Sequence, residues 1–151
     1  MGDQVTSYDL HTYLYDKTQP VTYGIDCLDH DYSKYDSVIT NPPYADNIPE
    51  KIIRHWAASS CKTLALFLRH SYLQSTRRGK GLFQEVPPSY CMIYGRVNCD
   101  EAYWEKPIGG FIDYNVMVWN KTQSKPQTRL IWVDVKADYA EWAMRDRKLS
   151  F

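Results

Sequence analysis

One ten-residue stretch, residues 35–44, constrains the fold of this 151-residue chain more than any other. Residues 37–40 (SVIT) are rich in β-branched side chains, which predicts a short buried strand. Asn41 ends the strand, and the two prolines that follow restrict the backbone and make the chain leave the strand stiffly. Open α/β sheets bind ligands at the carboxyl ends of their strands. The stretch therefore predicts that the amide of Asn41 and the ring of Tyr44 lie at a binding edge.

The tetrapeptide Asn41-Pro42-Pro43-Tyr44 resembles the catalytic motif of S-adenosylmethionine-dependent amino-methyltransferases, above all the N6-adenine DNA methyltransferases. The resemblance implies that the Asn41 side-chain oxygen and the Pro42 backbone carbonyl accept hydrogen bonds from the exocyclic amine of adenine. It also implies that Tyr44 stacks on the base, which must leave the duplex to be reached. Methyl transfer of this kind depends mainly on positioning and needs no metal.

Two acidic residues precede this motif where the family holds its cofactor, S-adenosylmethionine. Residues 4–9 alternate like a strand and end on Asp9, which matches the acid that binds the cofactor's ribose. Asp26 follows a second strand-like run and matches the residue that binds the cofactor's adenine, while Cys27 stands where the family has a bulky apolar residue. The residues alone leave another role open, because Asp is also common at helix N-caps and in turns.

Downstream, the pattern predicts the alternating helices and strands of an α/β sheet. Asp46 and Asn47 predict the cap of a helix with one apolar stripe; the stripe consists of Ile48, Ile52, Ile53, Trp56 and Ala57. Residues 63–68 form a continuous apolar run, typical of a strand buried on both faces. Further strands are predicted at residues 89–94, 111–119 and 129–133. The last two resemble the antiparallel hairpin that closes the methyltransferase sheet.

Basic residues follow the strand at residues 63–68. Arg69 leaves it at the same edge as Asn41, and a predicted helix at about residues 71–83 carries Arg77, Arg78 and Lys80. These four residues predict contacts with a nucleic-acid backbone. A solvated helix face explains the cluster on the helix equally well.

Residues 99–110 predict a loop, in which Tyr103 and Trp104 are candidates for stacking on a base or for packing against the sheet. Before it, Leu82-Phe83-x-x-x-Pro87-Pro88 and the strand that follows resemble the second half of small phage and prophage N6-adenine methyltransferases. This resemblance implies a place in the cytoplasm of a bacterium or a phage-infected cell.

The family's first strand and its glycine-rich cofactor loop have no counterpart ahead of residue 4. In the family that strand lies between the strands matched here by residues 4–9 and 36–40. We therefore expect residues 1–134 to form an α/β, Rossmann-like methyltransferase domain without its first strand, followed by a helical tail at residues 135–151. Either the sheet pairs differently, or a second copy or another chain supplies the strand, or the chain is part of a longer or split enzyme.

Composition limits the class of protein. Eighteen basic and eighteen acidic residues balance, which argues against a surface that binds duplex DNA strongly everywhere but allows a local basic patch. The four cysteines form no C-x-x-C pair, so we expect reduced thiols and no zinc site. The sequence contains no long apolar run, so it predicts no membrane span.

The expected activity is methyl transfer from S-adenosylmethionine to adenine N6 in DNA, alone or with a partner chain. Two alternatives stay open. One is a methyltransferase remnant or partner-binding subunit without activity. The other is methylation of RNA or of a protein glutamine.

Overall fold

The computed structural model describes residues 4–12, 21–97, 108–123 and 127–134. These ranges contain both strands and helices, which confirms the predicted α/β class. The strands are Ser7–Asp9 (β1), Val21–Tyr23 (β2), Ser37–Thr40 (β3), Thr63–Arg69 (β4), Tyr90–Val97 (β5), Ile108–Asn120 (β6) and Arg129–Trp132 (β7). The α-helices are Ile48–Ala58 (α1), Thr76–Lys80 (α2) and Leu82–Glu85 (α3).

The strands form two sheets. β1 and β2 pair in parallel, and the other five form a mixed sheet in the order β3-β4-β6-β5-β7. β3 is parallel to β4, β5 is parallel to β7, and β6 is antiparallel to both of its neighbours. Four strands of this sheet therefore share one direction, so the residues after β3 and after β4 leave at the same edge. The predicted burial of residues 37–40 is wrong, because β3 lies at one end of this sheet and its side chains are exposed or at most half-buried.

β4 and α1 build the centre of the core. The apolar run of β4 is buried at Leu64, Ala65 and Leu66, as predicted for a strand covered on both faces. The predicted stripe of α1 faces the sheet, with its central side chains fully or almost fully buried and Ile48 and Ala57 packed at the margin. This packing holds the segment after β3 against the sheet.

α1 begins at Ile48, as predicted, but the contact at its cap differs from the prediction. Asp46 and Asn47 both have left-handed backbone angles, with φ of 51° and 56°, a region that Asp and Asn tolerate better than most residues. Asn47 occupies the N-cap position, but its side chain makes no capping hydrogen bond. It accepts instead from the guanidinium of Arg77 at 3.1 Å. The predicted side-chain cap is therefore wrong.

The single helix predicted at about residues 71–83 is also wrong. The chain forms a 3-10 helix at His70–Gln74, then α2, then α3. Ser75 has an extended backbone and its hydroxyl accepts from the Arg78 N–H at 3.4 Å, which starts a new helix. Gly81 separates α2 from α3 with backbone angles outside the helical region.

The predicted hairpin of residues 111–119 and 129–133 is corrected as well. β5 lies between β6 and β7, so β6 pairs with β5 and β4, while β7 pairs with β5 in parallel. β6 also begins at Ile108, three residues inside the predicted loop. Tyr103, Trp104 and the predicted tail at residues 135–151 lie outside the described residues.

A polar aromatic cluster links the small sheet to the large one. The hydroxyl of Tyr8 in β1 lies 2.7 Å from that of Tyr35, just before β3, and His30 Nε2 lies 3.1 Å from the same Tyr35 hydroxyl. The bond to Tyr8, followed by burial, raises the pKa of Tyr35 to about 12. The Tyr35 hydroxyl therefore remains protonated at neutral pH and keeps this link between the sheets.

Gly24 supplies a backbone conformation that few residues adopt. It follows β2 with φ of +78°, and although a Cβ there would meet no atom, the angle itself strains an L-residue. We expect Gly24→Ala to lower the free energy of unfolding by about 1 kcal/mol.

Gly79→Ala is the matched control, because Gly79 lies inside α2 and has open space around its Cβ position. Its free energy of unfolding should rise by roughly 0.5–1 kcal/mol through helix propensity. Urea unfolding followed by circular dichroism compares the two variants. Equal effects of the two substitutions would contradict the prediction.

No helix among the described residues is long and apolar enough to cross a bilayer.

Candidate active site

Asn41 follows β3 directly at the carboxyl edge of the large sheet and is exposed. The next residue, Pro42, is buried, so the backbone after Asn41 is held by packing as well as by the proline ring. The Asn41 side chain therefore projects from an anchored turn. Its Oδ1 accepts a hydrogen bond from the Tyr44 hydroxyl at 3.3 Å. An amide oxygen has two lone pairs, so this long bond leaves it able to accept from another donor.

Tyr44 and Arg69 pack together beside Asn41. The guanidinium carbon of Arg69, the last residue of β4, lies 5.1 Å from the centre of the Tyr44 ring. This is a cation–π contact, which places a positive charge on one face of the ring. Tyr44 remains 38% exposed. The structure thus brings an amide acceptor, an aromatic ring and a cation, all predicted from the sequence, into one cluster.

Asp9 and Asp26 lie at and just beyond the carboxyl ends of the two strands of the small sheet. Asp9 ends β1 and Asp26 lies three residues beyond β2, with the Ile25 N–H donating to the Asp9 carbonyl at 3.1 Å. Each carboxylate also organises its own turn: Asp9 Oδ1 accepts from the His11 N–H at 2.9 Å, and Asp26 Oδ1 from the Leu28 N–H at 2.8 Å. Both acids therefore have the turn role that the residues left open. These bonds use one oxygen of each carboxylate.

Cys27 is half-buried beside Asp26 and carries a free thiol. Burial, and then the negative charge of Asp26, raise the pKa of this thiol. It is therefore protonated at neutral pH and has little nucleophilic character. Its surroundings suit a packing role.

The predicted basic cluster divides into separate environments. Arg77 donates to Glu50 Oε2 at 2.6 Å and to Asn47, which ties α2 to the start of α1. Arg78 donates to the Tyr72 carbonyl at 2.9 Å, and the guanidinium carbon of Arg78 lies 4.0 Å from the centre of the Tyr72 ring. Lys80 is exposed. Arg77 and Arg78 thus have structural contacts, and Arg69 is the one that joins the Asn41 cluster.

Sequence reasoning did not single out Asn115, and the structure makes it conspicuous. It lies in β6 with 0% exposure, between Leu68 of β4 and Ile93 of β5. Its Nδ2 is 3.4 Å from His70 Nδ1, and its Oδ1 has no partner within the described ranges. A buried polar atom without a partner costs about 1–3 kcal/mol of stability. One signal was available, because Asn115 interrupts an otherwise apolar inward face with Met117 and Trp119.

Other features of the described residues lie away from this edge. A cleft of about 290 Å³ lies near the amino end of β4, with Trp56, Trp119 and Lys121 among its lining residues. The Lys121 ammonium there donates to the carbonyls of Trp56 and Ser59 at the end of α1, and burial lowers its pKa.

Metal ligands do not cluster in the part of the chain that the structure describes. No group of three or more His, Cys, Asp or Glu side chains there could hold a metal ion. The thiols of Cys61 and Cys91 are free and buried.

Comparisons with models of protein families, with curated proteins and with solved structures found no match for this chain.

Proposed function

We propose that the chain binds S-adenosylmethionine and adenine-containing DNA and transfers a methyl group to the N6 amine of the base. The observation that carries the proposal is the cluster of Asn41, Tyr44 and Arg69 at the carboxyl edge of the sheet. It combines an exposed amide acceptor on an anchored turn with a ring backed by a cation. These are the groups that a flipped adenine requires: an acceptor for its amine, a stacking surface and a charge for its phosphate.

The arrangement suggests a specific role for each group. The Asn41 oxygen and the Pro42 carbonyl accept the two hydrogens of the amine and direct its lone pair out of the ring plane. Arg69 lies over the Tyr44 ring, and the adenine stacks on the same aromatic side chain. S-adenosylmethionine supplies an electrophilic methyl group, so positioning accounts for most of the catalysis expected from the chain.

Asp9 and Asp26 fit the part assigned to them in holding the cofactor. Both follow parallel strands, and each carboxylate has a second oxygen besides the one used in its turn. Hydroxyl and amino groups of a nucleoside are donors that such carboxylates bind. Cys27 adds a half-buried apolar contact beside them.

The sheet supports the proposal in part. Parallel strands with one reversed strand, here the central strand β6, suit a methyltransferase-like sheet, although β5 replaces β7 as the antiparallel partner of β6. The proposed Rossmann-like fold requires one further strand that pairs with both β1 and β3 and so unites the two sheets.

The geometry of the outer edge of β3 suits pairing with a strand from a partner. The Asp36 carbonyl accepts from the Thr63 N–H, and in a parallel ladder alternate residues bond to the same neighbour. The backbone groups of Ser37 and Ile39 therefore face away from β4, and Ile39 is 81% exposed. We propose that a second copy or another chain supplies a strand at this edge, because exposed apolar edge strands favour pairing.

The same edge favours a second candidate function, that of a partner-binding subunit without activity. Gel filtration with light scattering tests the partner. A second copy at this edge predicts a dimer that Ile39→Lys dissociates, whereas a monomer in both forms requires a different chain.

The activity is tested with the purified chain, S-adenosylmethionine labelled in its methyl group, and three acceptors supplied separately: single-stranded DNA containing adenine, RNA of the same sequence, and a glutamine peptide. We expect label in DNA, recovered as N6-methyladenine after digestion. Label in the RNA or in the peptide alone would show that one of these two, and not DNA, is the substrate. Calorimetry with S-adenosylmethionine completes the test, because absence of both binding and label would exclude a stand-alone enzyme.

Tyr44 gives a separate prediction for substrate binding. Removing the ring in Tyr44→Ala should weaken binding of an adenine-containing oligonucleotide about tenfold or more, since stacking contributes about 1–3 kcal/mol per base. Tyr44→Phe keeps the ring and loses the hydroxyl that donates the long bond to Asn41, so its affinity should stay within about twofold. Fluorescence anisotropy at one fixed salt concentration measures both. Equal losses in the two variants would show that the hydroxyl, and not the ring, binds the substrate.

A further inference from the structure

Asn115 lies where an apolar side chain would pack better. It is enclosed in β6 between two neighbouring strands, with one long contact to His70 and an amide oxygen without a partner in the described portion of the chain. Residues that break the packing rules of a core without a compensating contact concentrate at functional positions. Asn115 is level with the end of β4, one residue pair away from Arg69.

His70 follows Arg69 directly and starts the 3-10 helix that covers Asn115. In the assigned amide orientation, Asn115 Nδ2 donates to His70 Nδ1. A neutral imidazole that accepts at Nδ1 carries its proton on Nε2. The His70 ring is half-buried, so the side chain that directly follows Arg69 in the chain is held with one defined donor.

We propose that Asn115 is a positioning residue that keeps His70 as an Nε2–H donor, and that His70 donates this hydrogen bond to a phosphate oxygen beside the target nucleotide. The identity of the ligand rests on the proposed function. Arg69 supplies the positive charge at this edge, and His70 supplies a directed donor from a fixed backbone. Phosphate contacts of this kind set the register of a strand, which brings the adenine amine to Asn41.

The first measurement reads the tautomer of His70 in the free protein by long-range ¹H–¹⁵N correlation, at a pH where the ring is neutral. The parent should show one Nε2-protonated form. Asn115→Asp offers a carboxylate that accepts instead of donating, so the proton should move to Nδ1. Nδ1 protonation in the parent, or no change in the variant, would overturn the pairing.

The second measurement separates positioning from packing. Asn115→Leu removes the amide and should raise the melting temperature by about 2–4 °C, because an unsatisfied buried group is lost. The same variant should bind the oligonucleotide about tenfold more weakly. A large drop in melting temperature would show that Asn115 is structural and would overturn the proposal.

The third measurement identifies the ligand. His70→Leu should lose about tenfold in oligonucleotide affinity, whereas His70→Gln, whose amide nitrogen has a similar reach, should retain most of it. Replacing single phosphates by uncharged methylphosphonates should weaken binding by the parent at one position and leave His70→Leu unaffected there. Equal losses for both proteins at every position would exclude a phosphate contact.

The two proposals fail differently. If the parent binds and methylates DNA while His70→Leu behaves like the parent, the inference is wrong and the proposed function stands. If the parent binds no oligonucleotide, the proposed function and the phosphate contact both fail, and the spectra still decide whether Asn115 orients His70.

Discussion

Replacing Asn41 by alanine is expected to lower the rate of methyl transfer by about hundredfold or more. The variant loses the side-chain acceptor that the proposed mechanism uses to orient the adenine amine, and removal of one preorganised polar group commonly costs about 10²–10³ in rate. Asn41 is exposed, and its side chain makes a 3.3 Å contact to Tyr44 within the described ranges, so the fold should be unaffected. The measurement is the single-turnover rate with labelled S-adenosylmethionine and single-stranded DNA.

Two further variants make the result specific. Asn41→Asp retains an acceptor oxygen and should keep part of the rate. Lys51→Ala changes an exposed side chain on α1 and should keep all of it. If Asn41→Ala methylates DNA as fast as the parent, this residue does not hold the amine and the proposed function loses its main support.

Trp119→Ala is expected to give the largest loss of stability, about 3–5 kcal/mol in the free energy of unfolding. The Trp119 side chain in β6 is only 1% exposed, and its indole N–H donates to the Val86 carbonyl at 3.0 Å. Alanine would leave a cavity beneath α3 and remove the hydrogen bond that holds the end of that helix. Urea unfolding monitored by circular dichroism measures the change.

Trp132 provides a matched control, because it is the same residue type on the edge strand β7 and is 73% exposed. Trp132→Ala should change the free energy of unfolding by less than about 0.5 kcal/mol. Trp119→Phe, which keeps much of the ring volume but loses the donor, should fall between the two alanine variants. Similar losses for both alanine variants would mean that burial in the large sheet does not determine stability.

Local signals predicted the elements well where one physical rule dominated. The apolar run of β4 and the stripe of α1 are both buried as expected, because periodicity reports which face a segment must hide. The prediction of one helix after β4 was wrong, because capping by Ser75 and the backbone of Gly81 divide a stretch whose composition suits a single helix. The hairpin was wrong because adjacency in sequence favoured pairing β6 with β7, whereas β5 lies between them.

The sequence by itself determined the class of the fold and the place of Asn41, Tyr44 and Arg69, because β-branched and apolar runs, prolines and strand ends act within a few residues. Only the tertiary structure decided how those parts meet. It placed Arg69 over the Tyr44 ring, directed Arg77 to Glu50, and enclosed Asn115 against His70, 45 residues earlier in the chain. Contacts over such separations depend on which strands share backbone hydrogen bonds and on which side chains the sheet then buries, and no local pattern specifies that pairing.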